Sequence, residues 1–283
     1  MRVAISHETV YRYASPAEYS IQYLRMTPLS GIQQRVLNWK LFAPAPLVPW
    51  TDAFGNSTHV LVMDRAHDEI RVQAVGEVEI ADGGKPLLSD GEPHAPELFL
   101  RETKLTEADK QVREFAQKFL SGFKTNPGAG LEGLMTGIRN TIDYKPGATH
   151  VATSASQALT AGAGVCQDHA HLFVSCCRAL GVPARYVSGY LCTDAVGDAN
   201  MASHAWAEAW VDGSGWLSYD VANRMSNAKA HVRVAVGLDY LDAAPVRGIR
   251  KGGHGEELDV EVLVGDARQA KADLEKLKKA QQQ

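Results

Sequence analysis

A cysteine follows a glycine-rich turn in Gly162-Ala163-Gly164-Val165-Cys166-Gln167-Asp168-His169-Ala170-His171, and it opens what reads as the first turn of a buried helix. Unpaired N–H groups and the dipole at a helix N-terminus favour a thiolate over a thiol. Such a sulfur is a nucleophile in need of a base. His204 and Asp220 follow downstream on runs that read as strands, and the three residues together suggest a Cys-His-Asp triad. In that chemistry Cys166 attacks, His204 moves the proton, and Asp220 holds the imidazole in the right tautomer.

The elements that must position these groups are legible. In Ser203-His204-Ala205-Trp206-Ala207-Glu208-Ala209-Trp210-Val211, His204, Trp206, Glu208 and Trp210 share one strand face. The three alanines and Val211 make a small opposite face that can lie against a helix. Asp212-Gly213-Ser214-Gly215 is a hairpin turn signal, and Trp216 to Asp220 returns alongside. The hairpin makes His204 and Asp220 cross-strand neighbours, with Cβ atoms roughly 5 to 8 Å apart. An oxyanion hole would use the Cys166 N–H plus one further donor, with Tyr144 ranked ahead of Gln167. Each residue also has a bland reading: an inert buried cysteine, a satisfied strand histidine, an aspartate capping a turn. Trp206, Trp210 and Trp216 read as core and groove wall. His169 and His171 are two apart and face different sides of a helix. A zinc site from Cys166, His169 and His204 lacks any CxxC or HxxxH spacing, so no metal is expected.

The wider chain reads as α+β. Short alternating runs bounded by Pro and Gly-Asn turns mark residues 1–82 as an antiparallel β N-terminal domain, with Ile70 to Ile80 its clearest strand. A Gly/Pro-rich connector at 83–100 leads to a core at 101–266 and a polar tail at 267–283. In the core, Thr106 is the expected N-cap of a helix facing inward through Val112, Phe115, Ala116 and Phe119. A second helix is expected from Leu131 to Ile142, and the Cys166 helix stops at Gly181-Val182-Pro183. Strands follow at Ala184–Leu191, Ala202–Val211, Gly215–Asp220 and Leu258–Val264. A composition of 45% hydrophobic and 22% charged residues is globular, and a net charge of −4 gives no sign of a nucleic-acid partner. No apolar run is long enough for a membrane span, and Met1 to Glu8 turns polar too soon for a signal peptide. Adjacent Cys176 and Cys177 in a helical pattern argue against a disulfide framework, so the cytoplasm is the expected location.

Three blocks resemble the bacterial transglutaminase-like superfamily, a group also described as cysteine proteases. They are Gly162 to Asp168 followed by Cys177 to Tyr190, Ser203 to Glu208, and Tyr219-Asp220. Asp52-Ala53-Phe54-Gly55-Asn56 resembles the β-rich region that precedes this core, and Gly237 to Asp242 with Pro245 to Gly248 resembles its C-terminal signature. The resemblance implies a papain-like core, with the cysteine helix packed on an antiparallel sheet. It matches Cys166 to the nucleophile, His204 to the base and Asp220 to the orienting carboxylate. Nothing here resembles the acidic calcium loops of the large members, so cofactor-free chemistry is expected. His169 stands where the family commonly has an apolar or aromatic residue; it either tunes the site or points at solvent. The expected function is amide-bond chemistry on a peptide or protein substrate through an acyl-enzyme, with hydrolysis favoured. Amine transfer and a non-catalytic peptide-binding module are the alternatives. The expected groove is lined by Trp206 and Tyr190. Asp168 joins Gln167 among the substrate-binding candidates, and Arg247 with Asp242 would bind a substrate carboxylate or amine.

Overall fold

Residues Arg2–Leu24 form one strand that serves as the spine of the N-terminal sheet. The computed structural model describes residues 1–81, 93–192, 203–226 and 230–265, so the tail expected at 267–283 and most of the connector lie outside the described residues. Strand β1 (Arg2–Leu24) is followed by β2 (Gln34–Phe42), β3 (Leu47–Thr51), β4 (Ser57–Met63) and β5 (His67–Ile80), in the order β2-β5-β1-β4-β3. Pro16 cannot donate to a ladder, and the β1–β5 register shifts between Arg12 and Ala17. Before this irregularity one side of β1 pairs with β5, and beyond it with β4.

After a short 3-10 helix (Pro96–Leu100), the core begins with α1 (Lys110–Gln117), α2 (Leu120–Thr125) and α3 (Pro127–Thr141). Helix α1 starts later than Thr106: the Asp109 carboxylate caps it by accepting from the Val112 N–H. Thr106 is instead fully buried and accepts a hydrogen bond from Arg178 at 2.6 Å, a tertiary contact that outcompetes the local cap. Next come β6 (Asp143–Tyr144), α4 (Ala155–Ala161), β7 (Ala163–Gly164) and α5 (Cys166–Ala179). Strands β8 (Ala184–Leu191), β9 (Ser203–Val211), β10 (Gly215–Asp220), β11 (Met225–Ser226) and β12 (His231–Gly237) form an antiparallel sheet ordered β11-β10-β9-β8-β12. Helix α5 packs on this sheet: Ala207 and Ala209 share a core with Leu172, Phe173 and Cys177, and Ala205 meets Ala170. The fold is thus α+β, with a papain-like cysteine helix on an antiparallel sheet. No helix among the described residues is long and apolar enough to cross a membrane.

The chain then passes through α6 (Tyr240–Ala243) to β13 (Val246–Gly252) and β14 (Glu256–Gly265). Sequence order counts these last strands with the core, yet their hydrogen bonds go to β1, β14 along its first half and β13 along its second. The two sheets meet along β12, an edge strand. An edge presents unpaired backbone groups that need cover. Asn56 supplies it with a two-way amide clamp, donating to Val236 O at 2.8 Å and accepting from Val236 N at 2.9 Å. Gln34 does the same at Arg233, at 2.7 and 2.8 Å. Apolar contact continues the seam, with Val3, Ile5, Val78 and Ile80 against Tyr190, Val232 and Val234. Replacing Asn56 with Ala leaves a buried N–H and C=O of Val236 without partners, which should cost about 1–3 kcal/mol. Urea denaturation of the variant measures that loss directly.

Candidate active site

The turn before Cys166 is built by short-range constraints. Gly162 ends α4 in the left-handed region at φ 64°, which a glycine adopts without strain. The parallel pair β6–β7 then sets Tyr144 beside Gly164. A Cβ on Gly164 would lie 2.6 Å from the Asp168 side chain, so only glycine lets the loop close. Asp168 accepts from Val165 N at 2.8 Å and from Thr149 Oγ1 at 2.6 Å, which fixes the first turn of α5. Cys166 itself is half-buried against a cluster of Ala170, Tyr186, Ala205, Ala235 and Ala243. Cys176 and Cys177 are buried in the same helix, and burial pushes both thiols up.

His204 and Asp220 meet across the β9–β10 hairpin. The ladder runs from Gly215 opposite Val211 to Tyr219 opposite Ala207, which makes His204 a diagonal neighbour of Asp220. His204 Nε2 donates to Asp220 Oδ2 at 2.8 Å, leaving the other ring nitrogen for its hydrogen bond with Cys166. Burial opposes charging His204, but the bonds to Asp220 and Cys166 and their charges outweigh it and push its pKa up to about 10. Asp220 is fully buried, which works to raise its pKa; hydrogen bonds from His204 and His231 overcome this and hold it well below the usual carboxylate range.

Two members of this network are absent from the sequence reading. Asn223 donates its backbone N–H to Asp220 Oδ1 at 3.2 Å and its amide to Oδ2 at 2.8 Å. An aspartate followed three residues later by asparagine is a side-chain-capped turn, so that signal was present. The turn-capping role weighed for Asp220 and its contact with His204 therefore coexist. His231 donates Nε2 to Asp220 Oδ2 at 2.8 Å from β12. It lies on an ordinary alternating strand whose partner is β8, and no local pattern singles it out.

The remaining candidates divide. Tyr144 is half-buried near the thiol; burial, then the charges of Cys166 and Asp220, raise its pKa. Gln167 sits on the first turn of α5 and spends its side-chain amide on Val151 O at 3.2 Å. Asp168 is 1% exposed and serves the turn rather than an open surface. Trp206 and Tyr190 are 1% and 2% exposed, and Tyr190 lines a small pocket with His7, Ser188, Gly189 and Ser203. Trp206 packs over the histidines, and Tyr190 bonds His7 across the seam at 2.9 Å. The N-terminal sheet covers the face that an aromatic strand pattern leaves ambiguous. Arg247 is exposed on β13 and donates to Leu241 O at 3.0 Å, while half-buried Asp242 accepts from Leu238 N. His169 does not point at solvent: it is fully buried, its ring nitrogens reach the Val165 and Ile142 carbonyls, and it stacks on Tyr144.

The ligand set that could hold a metal differs from the Cys166, His169 and His204 combination weighed above. His204, Asp220 and His231 bring ligand atoms within 4.8 Å of one another. Both Nε2 atoms are already spent on Asp220 Oδ2, so an ion would have to displace two protons and two hydrogen bonds.

A cysteine at the head of a helix, packed on a sheet that carries a bonded histidine and aspartate, defines a papain-like core of the transglutaminase type. Residues 113–221 match the transglutaminase-like superfamily, and residues 3–79 match the bacterial transglutaminase-like N-terminal region. An uncharacterised protein of Mycobacterium leprae is 33% identical over 277 residues, covering 93% of this chain and 98% of the relative. A solved structure from Cytophaga hutchinsonii, provisionally named a cysteine protease, superposes with a TM-score of 0.73 at 23% identity, over 94% of this chain and 91% of that one. A shorter similarity, 33% over 104 residues, links 32% of this chain to 15% of the protein-glutamine gamma-glutamyltransferase of Pseudomonas aeruginosa. The chain belongs to the transglutaminase-like superfamily, whose members are typically enzymes.

The His204 shift has a consequence for stability. Its folded pKa of about 10 lies above the ordinary 6.5, so its stabilisation is complete below pH 6.5 and is lost as pH rises through about 10. Asp220 behaves oppositely, stabilising above its ordinary 3.8 and losing that contribution in acid. Wild-type unfolding free energy should therefore fall between pH 7 and 10, by up to about 1.4 kcal/mol per pH unit from this group. Urea titrations across that range should show a shallower fall in Asp220→Asn.

Proposed function

We propose that this protein is a thiol enzyme that acts on amide bonds of peptide or protein substrates through an acyl-enzyme on Cys166, with hydrolysis favoured. One observation carries the reading: His204 stands between Cys166 and Asp220, bonded to the Asp220 carboxylate at 2.8 Å and to the Cys166 sulfur. In this mechanism the Cys166 sulfur attacks the scissile carbonyl carbon and the carbonyl electron pair moves to oxygen. The N–H of Cys166 and the Tyr144 hydroxyl are the donors proposed for that oxyanion. Tyr144 is preferred because it stands beside the turn, whereas the Gln167 amide is engaged elsewhere. Collapse expels the amine with the proton from His204 and leaves a thioester. Water, deprotonated by His204, then attacks the thioester carbon, and the sulfur departs.

Amine transfer is the second reading, favoured by the similarity to the Pseudomonas glutamyltransferase. It differs only in whether an amine or water resolves the thioester. Incubating a peptide library with the protein, with and without a primary amine, and following masses separates cleavage, ammonia loss and amine incorporation. Water-derived products that fall at least about a thousandfold in Cys166→Ala are expected. Amine-bearing products alone would turn the assignment to transfer. Activity unchanged in Cys166→Ala would exclude an acyl-enzyme on this residue, and no turnover by wild type would favour a binding module.

A further inference from the structure

His231 has no part in the chemistry just described, yet it reaches the same oxygen as His204. Both imidazoles donate Nε2 to Asp220 Oδ2 at 2.8 Å. The ring crosses the sheet to do so: β12 is separated from β10 by β8 and β9. Gly189 permits the crowding between them, because a Cβ there would come within 2.0 Å of Val232 O and 2.8 Å of the Trp206 ring. Trp206 in turn sits edge-on to His231 at 4.8 Å and stacks with His204 at 6.4 Å. The His231 side chain is 1% exposed, and its Nδ1 is buried without a partner. Asp220 is therefore the sole hydrogen-bonding contact of this imidazole among the described residues. Burying a polar ring with one nitrogen unsatisfied costs free energy that an apolar ring of the same shape avoids. The position holds histidine nonetheless, and its one bond is to the carboxylate that holds His204.

We infer that His231 is a positioning residue of the active site: with Asn223 it locks the Asp220 carboxylate so that Oδ2 faces His204, and His204 in turn stays on Cys166. The inference rests on the reading of Cys166 as the nucleophile. It acts through Asp220, so its signature is in the reactivity of Cys166 rather than in substrate contacts.

The test is the pH profile of iodoacetamide alkylation at Cys166, read by peptide mass spectrometry on the full chain, which needs no substrate. His231→Phe keeps a ring against Trp206 but removes the donor; His231→Gln retains an N–H donor. In the Phe variant, alkylation at pH 7 should slow about tenfold and the acid limb of the profile should move up by about one pH unit. The Gln variant should remain within about threefold of wild type. A Phe variant that melts like wild type and keeps the wild-type profile overturns the inference. His231→Met serves as a second donor-less variant. If Phe and Met both fail to fold while Gln folds, His231 belongs to the fold and the inference is again overturned. A wild-type protein whose Cys166 reacts no faster than free cysteine at pH 7 refutes the nucleophile reading, and this inference with it. A reactive wild type with unchanged variants refutes this inference alone.

Discussion

A carboxylate with no solvent exposure must be surrounded by donors, and Asp220 organises the site because it is such a group. Three side chains meet that demand, each from a different place in the fold: His204 on β9, His231 on β12 and Asn223 just past β10. Satisfying Asp220 fixes the hairpin register, brings the far edge of the sheet into line and leaves His204 with one nitrogen free for Cys166. The alanine face of β9 then lets α5 approach closely enough for the cysteine to be there. Geometry at the thiol is thus a consequence of how one buried charge is neutralised.

The N-terminal region enters the same chain of dependence. Strand β12 is an edge, and its backbone is capped by Asn56 and Gln34 from the other sheet. The turn that presents Asn56 is itself built by Asp52, which accepts from the N–H groups of Phe54 and Asn56 and bonds Arg25 at 2.7 Å. Since β13 and β14 return to β1, the last described part of the chain completes the sheet that the first part begins. The region packs against the core and caps the strand that carries His231.

What was legible in the sequence is what short-range physics decides. Asp212 to Gly215 signal a tight turn and the alternation from Ser203 to Val211 signals a two-faced strand, so the hairpin and its alanine face were readable. Gly162 before Cys166 and Gly181 to Pro183 after it bracket α5. Contacts made at long range were not readable. Thr106 has the chemistry of a cap but is claimed by Arg178, and β1 continues past Pro16 because partners on both sides hold it. Trp206 and Tyr190 look like groove aromatics, yet both are almost fully buried, Tyr190 against His7 and Trp39 of the other sheet. His231 could be found only by knowing that the far edge of the sheet folds toward Asp220.

Whether Cys166, His204 and Asp220 work as a unit is tested most directly by trapping the acyl group. The protein is mixed with an activated peptidyl ester, quenched in acid within the first turnover, and the site of added mass is mapped by peptide mass spectrometry. The account predicts the acyl mass on the Cys166 peptide in wild type, with formation slowed severely in both His204→Gln and Asp220→Asn. Acylation of Cys166 at wild-type rate in those variants, or no acyl mass on Cys166 in wild type, would contradict it.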